Sequence, residues 1–73
     1  MPDNSLLANT IRRQRFEHNE MTQQELADRV GVTRQTIVAL EAYKYNPSLM
    51  LALRLARVFS IPVEQLFQLQ ESS

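Results

Sequence analysis

The chain has 73 residues, 44% of them hydrophobic, with no cysteine and a formal net charge of zero. A chain this short is read as one small domain near the lower limit for a self-sufficient core; it has no disulfides and no thiolate metal site. Neutrality argues against nucleic acid, but all eight basic residues lie between Arg12 and Arg57, against five acidic ones there.

That local excess of positive charge is small, so sequence-independent attraction to phosphates is expected to be modest. The longest mainly apolar stretch, Leu49 to Ile61, is broken by Arg54 and Arg57 and is too short to span a bilayer. No export signal is read, and a cytoplasmic location is expected.

Residues 1–4 read as loose. A first helix is expected from near Ser5, with Leu7 and Ile11 inward and Arg12, Arg13 and Arg15 following. Phe16 to Glu20 reads as a loop, in which His18 is a loop residue and not a ligand or base. The run Thr22 to Leu40, TQQELADRVGVTRQTIVAL, is the most informative part of the chain. Thr22 and Glu25 have the spacing of a capping box. Leu26, Ala27 and Val30 share one helical face, and small Ala27 lets a second helix cross closely. Gly31, the only glycine, stands where this helix should end and where positive φ is tolerated. Thr33 is a second N-cap candidate, after which Ile37 and Leu40 point inward. The pattern predicts two short helices joined by a tight turn.

The outward face of the second of these helices carries Arg34, Gln35, Val38 and Ala39. At about 100° per residue they sweep a contiguous arc of roughly 140° away from Ile37 and Leu40. Arginine and glutamine match guanine and adenine edges bidentately, and an apolar side chain can meet a thymine methyl. An exposed β-branched Val38 weakens a short helix and gains nothing from water. Taken singly, each of these is an ordinary surface residue; together on this corner they favour a base-reading face.

Glu41 to Pro47 reads as a loop, with Pro47 disfavouring helix at Asn46 and Ser48 as the next N-cap. The fourth helix, about Ser48 to Phe59, is apolar over roughly 220°, where a surface helix needs a stripe just over 100° wide. Either a partner covers its second side, or a final helix at Val63 to Phe67 does so within one chain. The tail from Phe67 alternates with period two and could add a short strand to a partner or to the N-terminus; a frayed tail is the simpler expectation.

These residues resemble the small helix-turn-helix regulators of the Cro/C1 (Xre-like) type. The resemblance covers about Ile11 to Phe67 and is carried by MTQQELADRVGVTRQTIVALE, YNPSLMLALRLARVF and VEQLF. Tyr45 to Leu49 is similar to the compact, stand-alone subgroup that includes the enterococcal cytolysin repressor. The resemblance implies an all-α, five-helix, lambda-repressor-like domain acting as a homodimer that represses transcription. It implies base contacts from Arg34, Gln35, Val38 and Ala39. Gln23, Thr33, Thr36, Lys44 and Asn46 become contacts to the DNA backbone, and Arg15 pairs with Glu41 in a structural role. Self-association is expected at Leu53, Val58, Val63, Leu66, Phe67 and Leu69. Three positions depart from the family pattern: Gln14 replaces a core leucine, the loop before Met21 is one residue longer, and Pro62 replaces a cap serine.

The expected partners are double-stranded DNA and a second copy of the chain, with no membrane, small-molecule ligand, metal or cofactor. An antitoxin that binds a protein as well as DNA is the alternative reading. An enzyme is not expected: one histidine, no glycine-rich phosphate loop and too little chain for a cleft leave no machinery for it.

Overall fold

The computed structural model describes residues 6–70. Its elements in chain order are β1 (Ala8–Asn9), α1 (Ile11–Glu17), α2 (Gln23–Val30), α3 (Arg34–Glu41), α4 (Leu49–Phe59), α5 (Val63–Leu66) and β2 (Phe67–Gln68). The five expected helices are present. The two short strands pair antiparallel, with Ala8 opposite Gln68 and Asn9 opposite Phe67. The period-two tail therefore forms a strand, and its partner is the chain's own N-terminal segment.

The start of α1 corrects the sequence expectation. The helix begins at Ile11 and not near Ser5, because Ala8 and Asn9 are committed to the sheet. Asn9 explains the switch. Its Oδ1 accepts from the Ile11 N–H (3.1 Å), and its Nδ2 donates to the Leu40 carbonyl (2.7 Å). A polar side chain buried in this way fixes the entry to α1 and ties it to the end of α3. The Thr10 hydroxyl instead donates to the Gln65 carbonyl at 3.0 Å and holds α5 in place.

The three central helices start as the sequence predicts. Thr22 and Glu25 form a full capping box: Thr22 Oγ1 accepts from the Glu25 N–H (3.0 Å), and Glu25 Oε1 accepts from the Thr22 N–H (2.9 Å). Thr33 caps α3 through the Thr36 N–H, and Ser48 caps α4 through the Leu51 N–H. Pro62 opens α5 with no side-chain cap bond, as suits a proline at a helix start. Gly31 ends α2 at φ 77°. A β-carbon there would lie 3.9 Å from the Arg54 guanidinium, so the glycine meets a conformational need and not a spatial one.

One core joins the helices. Ile11, Leu26, Ala27, Ile37, Leu40, Leu55 and Leu66 have no exposed surface, and Met21, Val30, Leu51, Phe59 and Phe67 surround them nearly buried. Leu66 and Phe67, assigned above to self-association, are thus corrected: both side chains are used inside their own subunit, because α5 and β2 close the core beneath α4. Helix α4 buries Leu51, Ala52, Leu55, Ala56 and Phe59 but leaves Leu49, Met50 and Leu53 exposed. The fifth helix does not cover that second side. Among the described residues no helix is long and apolar enough to cross a membrane.

Candidate nucleic-acid interface

The corner between α2 and α3 is rigid for local reasons. Both helices carry side-chain N-caps, and α2 closes through the Gly31 N–H and the Val32 N–H, which both donate to the Ala27 carbonyl (2.9 and 3.0 Å). Positive φ at Gly31 makes that double closure possible. It sends the chain into Thr33 within two residues, and Ala27, whose carbonyl takes both bonds, is fully buried.

On that corner Arg34, Gln35 and Val38 are exposed together, while Ile37 and Leu40 on the opposite face are fully buried. Val38 keeps 43% of its surface in solvent, and Ala39 is half-buried beside it. The expected base-facing quartet therefore shares one side of α3. Arg34 has no carboxylate partner among the described residues, where the ion pairs are Arg13–Glu17 and Arg15–Glu41. An unpaired guanidinium presents its planar donor fork to whatever approaches.

The residues expected to meet a DNA backbone differ in how free they are. Lys44 is exposed and has no ion-pair partner among the described residues. Thr33 and Thr36 lie within hydrogen-bond distance of each other through their hydroxyls (3.2 Å), and Thr33 Oγ1 also accepts the capping bond. Between them they keep a hydroxyl proton to donate outward. Asn46 accepts from the Leu7 N–H through Oδ1 (2.7 Å), which leaves its amide donors free. Gln23 is half-buried, and its Nε2 donates to Glu41 Oε1 at 3.1 Å. One Gln23 donor is thus held inward; the other, with the open N-terminus of α2, remains for an anion.

Behind this face lies the Arg15–Glu41 pair. Arg15 Nε donates to Glu41 Oε2 at 2.6 Å and Nη2 to Oε1 at 3.0 Å, while Nη1 donates to the Met21 carbonyl at 2.7 Å. The two side chains are 15% and 9% exposed. The pair takes the structural role that the resemblance implied, and it links α1, the entry to α2 and the end of α3. Arg15 therefore does not count toward phosphate neutralisation. Arg13, bound to Glu17 at 3.2 Å on the surface, is partly offset as well.

Two contributors were not found by sequence reasoning. Arg54 of α4 lies against the turn at Gly31, where a cation complements the carbonyl end of α2; only the fold brings α4 there. Asn9 fixes the end of α3 from outside the motif, and a lone asparagine gives no pattern to detect. His18 sits in the bend after α1 as expected, with Nδ1 2.7 Å from the Gln14 carbonyl and its ring edge-on to Phe59 at 5.1 Å. Of the remaining residues assigned to self-association, Leu53 and Leu69 are exposed, and Val58 and Val63 are half-buried against the core.

Known proteins agree with this architecture. The helix-turn-helix family HTH_3 matches residues 13–66. An uncharacterized HTH-type transcriptional regulator of Archaeoglobus fulgidus is 61% identical over 51 residues, 70% of this chain and 72% of that one. Another from Methanothermobacter thermautotrophicus is 51% identical over 63 residues, covering 85% and 91% of the two chains. The Bacillus subtilis regulator YgzD is 46% identical over 52 residues, 71% of this chain and 79% of its own. In fold, the chain is similar to the crystal structure of a provisionally DNA-binding protein from Bacteroides fragilis. The TM-score is 0.72 at 24% identity, over 86% of this chain and all of that one. With its core, its two caps, its glycine turn and its exposed α3 face accounted for, the chain belongs to the Cro/C1-type (Xre-like) helix-turn-helix family.

Proposed function

We propose that this protein is a sequence-specific transcriptional regulator that binds double-stranded DNA as a homodimer and represses the genes it controls. The observation that carries the reading is the joint exposure of Arg34, Gln35 and Val38 on α3, opposite buried Ile37 and Leu40. Helix α3 enters the major groove, where Arg34 and Gln35 read base edges and Val38 and Ala39 touch apolar base surface. Gln23, Thr33, Thr36, Lys44 and Asn46 fix the register on the phosphates. It acts in the cytoplasm, where the DNA is.

Dimerisation follows from the charge balance. Zero net charge supplies little general affinity, so useful occupancy needs two α3 helices in successive major grooves, about 34 Å apart. Leu53 on α4, with Leu69 in the tail, offers exposed apolar surface for the contact. Repression needs only that the dimer occupy a promoter.

The test is selection of bound duplexes from a random pool, followed by binding of variants to the enriched sequence. Arg34→Ala and Gln35→Ala should each cost about 1–3 kcal/mol and relax preference at one base pair. Lys44→Ala should weaken all sequences alike and shallow the salt slope by about one. Absence of an enriched sequence, or wild-type discrimination in both α3 variants, would refute the base-reading assignment.

A further inference from the structure

A cleft of about 620 Å³ opens between the outward face of α1 and the end of α3, and none of Arg34, Gln35, Val38 and Ala39 lines it. Its walls include Arg12, Phe16 and Glu17 from α1, with Glu41 and Tyr43 facing them from the end of α3 and just beyond. Sites for small molecules span about 300–1,000 Å³ and set a few placed polar groups in a mainly apolar lining. This cleft has that size and that mixture.

Phe16, expected in a loop, lies in the last turn of α1 with 71% of its surface in solvent. One exposed apolar side chain is ordinary. Here a second aromatic residue, half-exposed Tyr43, lines the same cleft. Tyr43 is held from both ends: its N–H donates to the Leu40 carbonyl (3.0 Å) and its hydroxyl to the Asn9 carbonyl (3.3 Å). That wall is therefore in place before anything binds, which lowers the ordering cost of binding.

The charges around the cleft are not equally free. Glu41 accepts from Arg15 at both oxygens and from Gln23 at Oε1. Glu17 accepts from Arg13 at 3.2 Å. Arg12 is exposed and has no carboxylate partner among the described residues. Both carboxylates are thus matched by arginines, and Arg12 leaves the cleft with a surplus positive charge. It stands one helical turn before Phe16, on the same face of α1. Its guanidinium fork fits a carboxylate bidentately.

We propose that this cleft binds a small aromatic carboxylate, with the carboxylate on Arg12 and the ring against Phe16 and Tyr43. The ligand then removes from water the apolar surface that Phe16 leaves exposed and neutralises the free guanidinium. The cleft lies apart from the outward face of α3, so the proposal does not rest on the DNA-binding reading above.

The experiment follows backbone amide shifts of the full, isotope-labelled chain at physiological salt. The probes are 1-naphthoate, its neutral counterpart 1-naphthamide, and acetate, which has the charge without the ring. With 1-naphthoate the amides of Arg12, Phe16 and Tyr43 should move together. It should bind about threefold to tenfold more tightly than 1-naphthamide, the worth of a bidentate ion pair near the surface. Acetate should move nothing at concentrations that saturate the cleft with 1-naphthoate. Arg12→Gln should remove the advantage of the charged probe and leave 1-naphthamide binding as before. Phe16→Ser should weaken both ring probes by about threefold to tenfold. Both substituted side chains are exposed, so neither variant loses contacts in the core. Equal affinity for 1-naphthoate and 1-naphthamide would overturn the carboxylate site, and so would shifts that survive both substitutions. Acetate binding as tightly as 1-naphthoate would overturn it too, reducing the cleft to a simple anion site. Silence with 1-naphthoate, where an acetylated Asp-Phe-Asp peptide moves the same amides, would give the cleft to a protein partner instead.

Discussion

Among the described residues Asn9 is the one buried polar residue. Its amide satisfies a carbonyl at the end of α3 and an N–H at the start of α1, and the Tyr43 hydroxyl donates to its backbone carbonyl at 3.3 Å. A buried partner left unpaired costs about 1–3 kcal/mol, and Asn9→Ala leaves the Ile11 N–H so, while the Leu40 carbonyl keeps the Tyr43 N–H at 3.0 Å. The expected loss is about 1–3 kcal/mol, a large part of the stability of a domain this size, read as a lower urea midpoint at unchanged m-value. An unchanged midpoint would mean that water replaces the amide at the Ile11 N–H. In the sequence Asn9 is one of several polar residues before the first helix, and nothing marks it as buried. It is the tertiary approach of Leu40 that makes it necessary.

Apart from α1, the helix starts were legible, and the helix ends largely were not. Thr22, Thr33 and Ser48 announce N-caps because a side-chain oxygen directly ahead of a helical run can accept the free N–H three residues on. Helices α2, α3 and α4 all close with a left-handed residue, at Gly31 (φ 77°), Tyr43 (φ 60°) and Ser60 (φ 56°). Only the glycine could be recognised in advance, since tyrosine and serine adopt that conformation under tertiary compulsion. Ser60 should therefore carry strain that Ser60→Gly relieves. A left-handed non-glycine residue costs about 1–2 kcal/mol, and the added unfolded-state freedom of glycine takes back about 0.5–1 kcal/mol. The net gain should be about 0.5–1 kcal/mol, or a few degrees in melting temperature. No gain would mean that the Ser60 side chain already offsets its backbone. At the opposite end of such a helix, Glu25 links stability to pH. The bonds from the Thr22 backbone and side chain, with Arg29 nearby, hold its carboxyl below the ordinary value of 4.5, against a smaller opposing push from desolvation. A depressed carboxylate stabilises the fold fully above its unfolded value, and the contribution fades as pH falls through the folded one. Acid titration of stability should thus show a loss beginning below about pH 4.5 that is reduced in Glu25→Gln; equal acid sensitivity in both proteins would contradict it.

For the molecule as a whole, the outward face of α3 could be read from sequence because helical periodicity alone separates it from Ile37 and Leu40. Leu66 and Phe67 could not be placed, since an apolar residue near a chain end suits a core and a subunit contact equally, and only the closure of α5 and β2 beneath α4 decides it. That closure narrows where two copies can meet. Leu53 is 52% exposed, and Leu49 and Met50 beside it are 73% and 63% exposed. Burial of a leucine is worth about 1.5–3 kcal/mol, and in a symmetric contact each such residue is buried twice. Leu53→Glu should therefore separate folding from association. At low protein concentration its melting temperature should match the wild type, because the side chain contributes little to the subunit core. At higher concentration the wild type should sediment as a dimer and bind both half-sites cooperatively, while the variant stays monomeric and binds a single half-site weakly. If Leu53→Glu dimerises as the wild type does, the contact lies instead around Leu69, and Leu69→Glu should then produce the monomer.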